Sequence, residues 1–413
     1  MTVSLDMMLA ARDRRVDIQK TMLSKAGSDS CLVCLTLNIA GDVKRTPMSR
    51  MLFDRGISEL DKLGLNVIEH TEIDEPTGTE GFWLLREDAA EVKRKLEIIE
   101  EDASITASRL FDFDVLINGD FGIEKLTRKD SRRCLLCERP AAECARSRSH
   151  GLDAIKAETE RLLREFCADT LARAAYDALI AELETTPKPG LIDMNNNGSH
   201  RDMDAALMRK SAETLVPYFK DAAHIGMSGG GMKELRARGI EADREMFEAT
   251  GGVNTHQGMV YSMGLLLAGM GASLRDCSDF IEHASNLARE DGEKAYGATA
   301  HAVSGFPDAV YCADRLAHYK ETENDNDAAV YALMDSIARV EDTNLLRRGG
   351  PEGLEFARQS AAKIFKLPEA NRLEAIAELD AEMIKRNLSP GGSADMLALA
   401  FLLDKWKEMS LNL

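Results

Sequence analysis

The hydrophobic pattern of this chain changes period once, and the change falls at residues 132–150, RRCLLCERPAAECARSRSH. Before that stretch, short β-branched apolar runs alternate with segments whose apolar residues repeat every three to four positions. After it, almost every apolar stretch repeats at helical spacing and no period-2 run occurs. One hydrophobic core cannot satisfy both patterns, so two domains are expected. Residues 1–150 read as an α+β domain, a mixed sheet with helices, and residues 151–413 as an all-α multi-helix bundle of about ten helices. No Gly/Ser/Pro-rich linker follows residue 150, which predicts domains held close together rather than swinging on a tether.

Charge and cysteine content narrow the function classes. The net charge of −18 argues against a general nucleic-acid or anionic-membrane binder. No apolar run approaches the ~20 residues that span a bilayer, and the start of the chain lacks the basic-then-apolar pattern of a secretory signal, so a cytoplasmic location is expected. In a reducing compartment the eight cysteines are thiols or metal ligands rather than a disulfide framework. Against the acidic total, Lys125, Arg128, Lys129, Arg132, Arg133, Arg139, Arg146 and Arg148 face only Asp130, Glu138 and Glu143. That patch suits phosphates or an acidic protein partner; a solvated face is the plainer reading.

In the first half, residues 6–24 read as a helix and CLVCLTLN (31–38) as a buried strand. Thr46-Pro47 caps a helix ending near Gly64, residues 66–70 and 82–86 are weaker strands, and Asp88 caps a helix to about Glu100. The informative strand is FDFDVLI (111–117): alternation puts Phe111, Phe113 and Val115 on one face and Asp112 and Asp114 on the other. Two carboxylates about 7 Å apart on a rigid strand suit Mg2+, which takes oxygen ligands and shares them with phosphate. A polar outer face is the competing reading. Asn118-Gly119 is the expected hairpin turn. In the period-change stretch, Cys134, Cys137, Cys144 and His150 have spacing that could close a Cys3His zinc site. Packing thiols beside a phosphate-binding arginine cluster are the favoured reading, and Cys31 and Cys34, on opposite faces of a strand, do not supply a second half-site.

Four polar loops interrupt the helices of the second half. Residues 186–203 (TPKPGLIDMNNNGSHRDM) crowd Lys188, Asp193, Asn197, His200 and Asp202 together; residues 250–258 (TGGVNTHQG) open a helix; residues 341–350 carry EDTNLLRRGG; residues 387–395 carry NLSPGGSAD, where Ser393 can cap the last helix. Four such loops in one helical domain point to a polar pocket at one end of a bundle. The run Ser228-Gly229-Gly230-Gly231 reads as a flexible surface loop.

The runs SRLFDFDV (108–115) and CLLCERPAAECARSRSH (134–150), with Arg12, Arg15, Gly41, Lys44, Arg50 and Gly56, resemble the apo-citrate lyase phosphoribosyl-dephospho-CoA transferase family. The resemblance implies a nucleotidyltransferase-like first domain. It would transfer a phosphoribosyl-dephospho-CoA group from its triphosphate to a serine of the citrate lyase acyl carrier protein, with Asp112 and Asp114 holding Mg2+ and Arg15, Lys44, Arg50 and Arg109 holding phosphate. The family's His-Pro-Leu-Gly run before the arginine is replaced by Ile105-Thr106-Ala107-Ser108.

The four loops, in order, resemble the triphosphoribosyl-dephospho-CoA synthase family over residues 160–413. That family joins the ribosyl triphosphate of ATP to the 2′-hydroxyl of 3′-dephospho-CoA and expels adenine. The resemblance implies His200 and His256 as base and acid, Glu245 or Asp193 as the carboxylate beside C1 of the ribose, and Asp202 and Asp342 as metal ligands. Lys188, Asn197, Asn254, Thr255, Asn344 and Arg348 would bind substrate. The departures are Gln257, where the family commonly has lysine, and a shortened run at 298–305; either Arg289, Lys294 or His301 compensates, or ATP binding is altered. Two further readings stay open: a synthase with a non-catalytic carrier-docking first half, and a synthase serving a malonate decarboxylase carrier protein.

Overall fold

The computed structural model describes residues 2–27, 29–292 and 297–412. The chain forms two compact units, Met1–Cys167 with Asn412–Leu413, and Ala168–Leu411. The division lies beyond residue 150, inside one 33-residue helix, Leu152–Glu184.

The first unit contains α1 (Leu5–Leu23), β1 (Cys31–Leu37), α2 (Pro47–Asp61), β2 (Val67–Glu75), β3 (Gly78–Leu85), α3 (Ala89–Glu100), β4 (Phe111–Gly119), β5 (Gly122–Lys125) and α4 (Ala141–Ser147). Thr46 and Ser49 form a reciprocal capping box at the start of α2, with Pro47 at its first position. The strands pair in the order β2-β3-β1-β4-β5, and every ladder is antiparallel, so the expected mixed sheet is corrected. The reason is topological. The α3 crossover makes β3 and β4 run the same way, but β1 lies between them and opposes both.

Met22 and Leu23 of α1 pack with Leu32, Cys34, Phe82 and Leu84 on one sheet face. On the other, Gly56 of α2 sits so close to Leu35 and Phe111 that a side chain there would collide with both. The outer edge of β4 has no strand partner before Leu116, and side chains satisfy it instead. Lys93 donates to the Phe113 carbonyl (2.8 Å), Glu100 accepts from the Phe113 N–H (2.7 Å), and Arg132 donates to the Phe111 carbonyl (2.8 Å). The hairpin turn falls two residues later than expected, at Asp120 and Phe121, because Asn118 pairs with Ile123 and its amide reaches the Leu23 carbonyl of α1 (2.9 Å).

The second unit is helical: α5 (Leu152–Glu184) enters it, followed by α6 (Ala205–Ser228), α7 (Met232–Ala249), α8 (Gln257–Asp276), α9 (Phe280–Glu290), α10 (Gly297–Val303), α11 (Pro307–Lys320), α12 (Asp325–Arg339), α13 (Thr343–Ile364), α14 (Arg372–Lys385) and α15 (Gly391–Ser410). α6 and α8 cross where Gly226 and Gly271 let backbone meet backbone; a Cβ at either would strike a carbonyl oxygen of the other helix, that of Ala268 or Ala223. A second core lies between α11 and α15 around Leu316, Leu333, Leu345, Leu354 and Leu397.

Two segments expected as loop are partly helical, and the glycine run is a loop as expected, only a short one. α6 runs on to Ser228 and α7 begins at Met232, so the glycine run is a short helix–helix joint, with Gly229 in the left-handed cap (φ 74°). The expected loop at 341–350 is helical from Thr343, with its regular geometry broken at Gly350 (φ 64°) immediately before Pro351, which disfavours α geometry in its predecessor. α15 starts at Gly391, so Ser393 lies within its first turn and Pro390 stands at the cap. Among the described residues no helix is long and apolar enough to cross a membrane.

Candidate active sites

In the second unit one cavity of about 1110 Å³ is lined by residues from all four loops: His200 and Asp202; Asn254, Thr255, His256, Gln257 and Gly258; Glu341, Asp342, Asn344, Arg347 and Arg348; Ser389, Gly391, Gly392 and Asp395. The N-termini of α8 and α15 open onto it; neither cap residue bonds its own first turn, but Asn254 accepts from the Gln257 N–H (3.3 Å) and Asp342 from the Ser393 N–H (2.8 Å). The glycine N–H groups beside them, with the positive end of the helix dipole, are a natural seat for phosphate.

His200 is held from both sides. Its Nε2 lies 2.9 Å from Ser389 Oγ, and Arg348 Nη2 lies 3.2 Å from Nδ1. Arginine only donates, so Nδ1 accepts and the ring proton sits on Nε2. Burial, then the Arg348 charge, pushes His200 below the ordinary histidine range. The same guanidinium donates to the Ser199 carbonyl at 2.8 Å. His256 is 6% exposed; its Nδ1 meets Ser211 Oγ at 2.7 Å, and Thr255 donates to that hydroxyl at 2.6 Å. Burial, with the Lys188 charge behind it, brings His256 down to about 4.

Several expected ligands are engaged elsewhere. Lys188 is 1% exposed, and its ammonium donates to the Glu182 carboxylate and carbonyl, each at 2.6 Å. Asp193 organises its own loop, accepting from the Thr186 hydroxyl and the backbone N–H groups of Lys188, Asn195 and Asn196. Asn197 is exposed, Glu245 pairs with Arg238 at 3.3 Å, and neither lines the cavity. Asp342 caps α13 and grips α15. One oxygen accepts from the N–H groups of Asn344 and Leu345, the other from the N–H and hydroxyl of Ser393, so its four acceptor sites are filled. The Asn344 side-chain amide oxygen accepts from Arg347 (3.1 Å), and the Asn254 side-chain amide donates to Gln257 (2.9 Å). His301 lines the cavity, Arg289 does not, and Lys294 lies outside the described residues.

The principal residue that sequence reasoning missed is Asp395. It lines the cavity beside Gly258, and burial first, then the nearby Asp342 and Glu182 carboxylates, push its carboxyl up to about 8. Asp380 is another: it accepts from the Gly190 N–H (2.8 Å) and Asn196 (2.9 Å), tying the first loop to α14. Asp380 sits in a plain amphipathic helix and Asp395 at the tail of a glycine-rich motif, so no local pattern singled either out.

In the first unit, Asp112 and Asp114 share one face of β4 as expected. Lys125 pairs with Asp114, and Arg132 lies 3.6 Å from Asp112. Arg15 reaches toward this face but is clamped by Glu80, a residue sequence reasoning did not single out, in a two-pronged pair of 3.1 and 2.7 Å. Arg50 is buried against Asp54 (2.6 Å) and Glu72 (3.2 Å); Lys44 donates to the Ile39 carbonyl (2.5 Å); Arg109 donates to the Arg133 and Cys134 carbonyls. Beyond β5, Cys134, Cys137, Cys144 and His150 form a group whose ligand atoms all lie within 4.8 Å of one another.

Comparison with known proteins follows the same two-part division. Residues 3–166 match the family of apo-citrate lyase phosphoribosyl-dephospho-CoA transferase, and residues 168–302 and 293–412 match ATP:dephospho-CoA triphosphoribosyl transferase. Protein CitXG of Haemophilus influenzae is 31% identical across 96% of this chain and 95% of its own length. Protein CitXG of Leuconostoc mesenteroides subsp. cremoris is 28% identical across 97% of both. A probable 2-(5''-triphosphoribosyl)-3'-dephosphocoenzyme-A synthase of Albidiferax ferrireducens is 36% identical across 58% of this chain and 92% of its own length. The chain therefore belongs to the ATP:dephospho-CoA triphosphoribosyl transferase family, joined at its N-terminal side to an apo-citrate lyase phosphoribosyl-dephospho-CoA transferase region.

Proposed function

We infer that this chain is a bifunctional transferase that makes the citrate lyase prosthetic group and attaches it. The second unit joins the triphosphoribosyl group of ATP to the 2′-hydroxyl of 3′-dephospho-CoA with release of adenine. The first moves the phosphoribosyl-dephospho-CoA group onto a serine of the citrate lyase acyl carrier protein with release of diphosphate. The observation that carries this reading is that the two family matches lie end to end, 3–166 and 168–412, because the product of one reaction is the substrate of the other. The cavity supports it. Its volume of about 1110 Å³ lies just above the roughly 300–1,000 Å³ usual for one small-molecule site, in keeping with two nucleotide substrates.

In the synthase step the 2′-oxygen bonds to C1 of the ribose as the C1–N9 bond breaks, and the bonding pair leaves with adenine. Arg347, Arg348 and the first-turn glycines Gly258, Gly391 and Gly392 of α8 and α15 would hold the triphosphate. His256, kept neutral by its surroundings, is the available acceptor for the hydroxyl proton, while His200, with its ring nitrogens taken by Arg348 and Ser389, would position the substrates. Asp395, kept protonated near neutral pH, would give its proton to the departing adenine. Asp202 and Glu341 line the wall with the oxygen donors that Mg2+ prefers, and would hold it; the ion supplies charge neutralisation on the triphosphate.

In the transfer step the serine oxygen bonds to the α-phosphorus as the bond to diphosphate breaks. Asp112 and Asp114 are an oxygen-donor pair suited to Mg2+ there, and the exposed Lys125, with the half-buried Arg132, would meet the diphosphate.

Purified protein given ATP and 3′-dephospho-CoA is expected to release adenine only when Mg2+ is present, read by chromatography. A folded sample that releases none would contradict the synthase assignment.

A further inference from the structure

The cysteine-rich stretch is not explained by either reaction, and its folded form differs from a set of packing thiols. Arg133 and Pro140 make an antiparallel bridge, closed by hydrogen bonds from the Cys134 N–H to the Arg139 carbonyl (2.8 Å) and from the Ala141 N–H to the Arg132 carbonyl (2.7 Å). This tight knuckle holds Cys134 and Cys137 together, and the Arg139 backbone N–H points at the Cys137 sulfur. α4 then brings Cys144 back. Arg148, in left-handed geometry (φ 47°), reverses the chain so that the Ser149 N–H bonds the Cys144 carbonyl (3.1 Å) and His150 returns to the cluster. Cys137 Sγ lies 3.5 Å from Cys144 Sγ and 3.4 Å from His150 Nε2, and all four ligand atoms lie within 4.8 Å of one another.

A tetrahedral zinc site with Zn–S of about 2.3 Å and Zn–N of about 2.0 Å has edges of about 3.5–3.8 Å. The Cys137–Cys144 and Cys137–His150 edges match that to within a few tenths of an ångström. Three thiols and an imidazole are soft ligands that favour zinc over magnesium or calcium. Four protein donors fill the tetrahedron, as in a structural rather than a catalytic site.

We propose that Cys134, Cys137, Cys144 and His150 bind one Zn2+ and that this ion holds the end of the first unit in place. The neighbouring arginines show what it would secure. Arg109, immediately before β4, donates to the carbonyls of Arg133 (3.0 Å) and Cys134 (2.6 Å). Arg132, two residues before the first ligand, bonds the Phe111 carbonyl and Glu100, each at 2.8 Å, and lies 3.6 Å from Asp112. The zinc loop is thus fastened to the β4 edge that carries the aspartate pair.

The test is metal content of the full chain, incubated under reducing conditions with excess Zn2+, desalted, and measured by elemental analysis. About one zinc per chain is expected, in line with a closed four-ligand site. C134S/C137S should hold almost none, while His150→Cys, which keeps four ligands, should retain it. A chelator should lower the melting temperature, and Zn2+ but not Mg2+ should restore it. Zinc at background level in the unmodified protein with its thiols reduced would overturn the proposal, as would full zinc retention by folded C134S/C137S. If the double variant does not fold, the content of the unmodified protein and of His150→Cys still decides. None of these readouts uses either transferase activity, so the zinc site and the functional reading fail separately.

Discussion

Asp395 shows how environment can assign a role that residue type alone does not. Its carboxyl, raised to about 8 in the fold against an ordinary 3.8, binds a proton more tightly folded than unfolded. Between those values the folded state carries more protons, so this group's contribution to stability falls as pH rises from about 4 toward 8. Asp395→Asn removes that dependence. The variant is expected to gain stability over the natural protein progressively between pH 5 and pH 8 in urea titrations. It should also lose adenine release by on the order of 10²-fold or more, the usual range for removing a general acid. Equal stability differences at both ends of that range would show that Asp395 is not held protonated. His200 and His256 were identifiable from sequence because histidines in polar loop motifs stand out. Their neutral state was not, since it depends on burial and on the Arg348 and Lys188 charges, which lie far away in the chain.

At the level of elements, the strands and most helices were readable because apolar period and caps are local: Thr46-Pro47 and Asp88 cap α2 and α3 as expected. What failed was the segment 341–350, taken as loop, where a helix starts at Thr343 and continues through a kink at Gly350. The antiparallel sheet was not readable either, because strand order is set by which connections cross β1 and not by any strand's own residues. Asp342 exemplifies the element scale, since it was expected as a metal ligand and instead joins two helix starts that line the cavity. Asp342→Ala strips the cap of α13 and leaves the Ser393 hydroxyl without its acceptor. It should cost about 2–4 kcal/mol, measured by denaturant unfolding. Asp342→Asn, which keeps acceptors on one oxygen, should cost less; equal costs would contradict the tie.

Across the whole molecule, the two units carry separable chemistry in one chain. The aspartate pair on β4 belongs to the first unit and the four-loop cavity to the second. The order of the two family matches was anticipated by the change of hydrophobic period near residue 150, although the compact units divide at Cys167/Ala168, within α5. A long helix that continues through a boundary leaves no compositional mark where one core ends and the next begins. The measurement that bears most directly on the combined activity is the mass of the apo citrate lyase acyl carrier protein after incubation with this chain, ATP, 3′-dephospho-CoA and Mg2+. The carrier is expected to gain one phosphoribosyl-dephospho-CoA group. With D112N/D114N, adenine should still be released while the carrier stays unmodified. A carrier left at its starting mass by the unmodified enzyme, despite adenine release, would contradict the assignment of both steps to this chain.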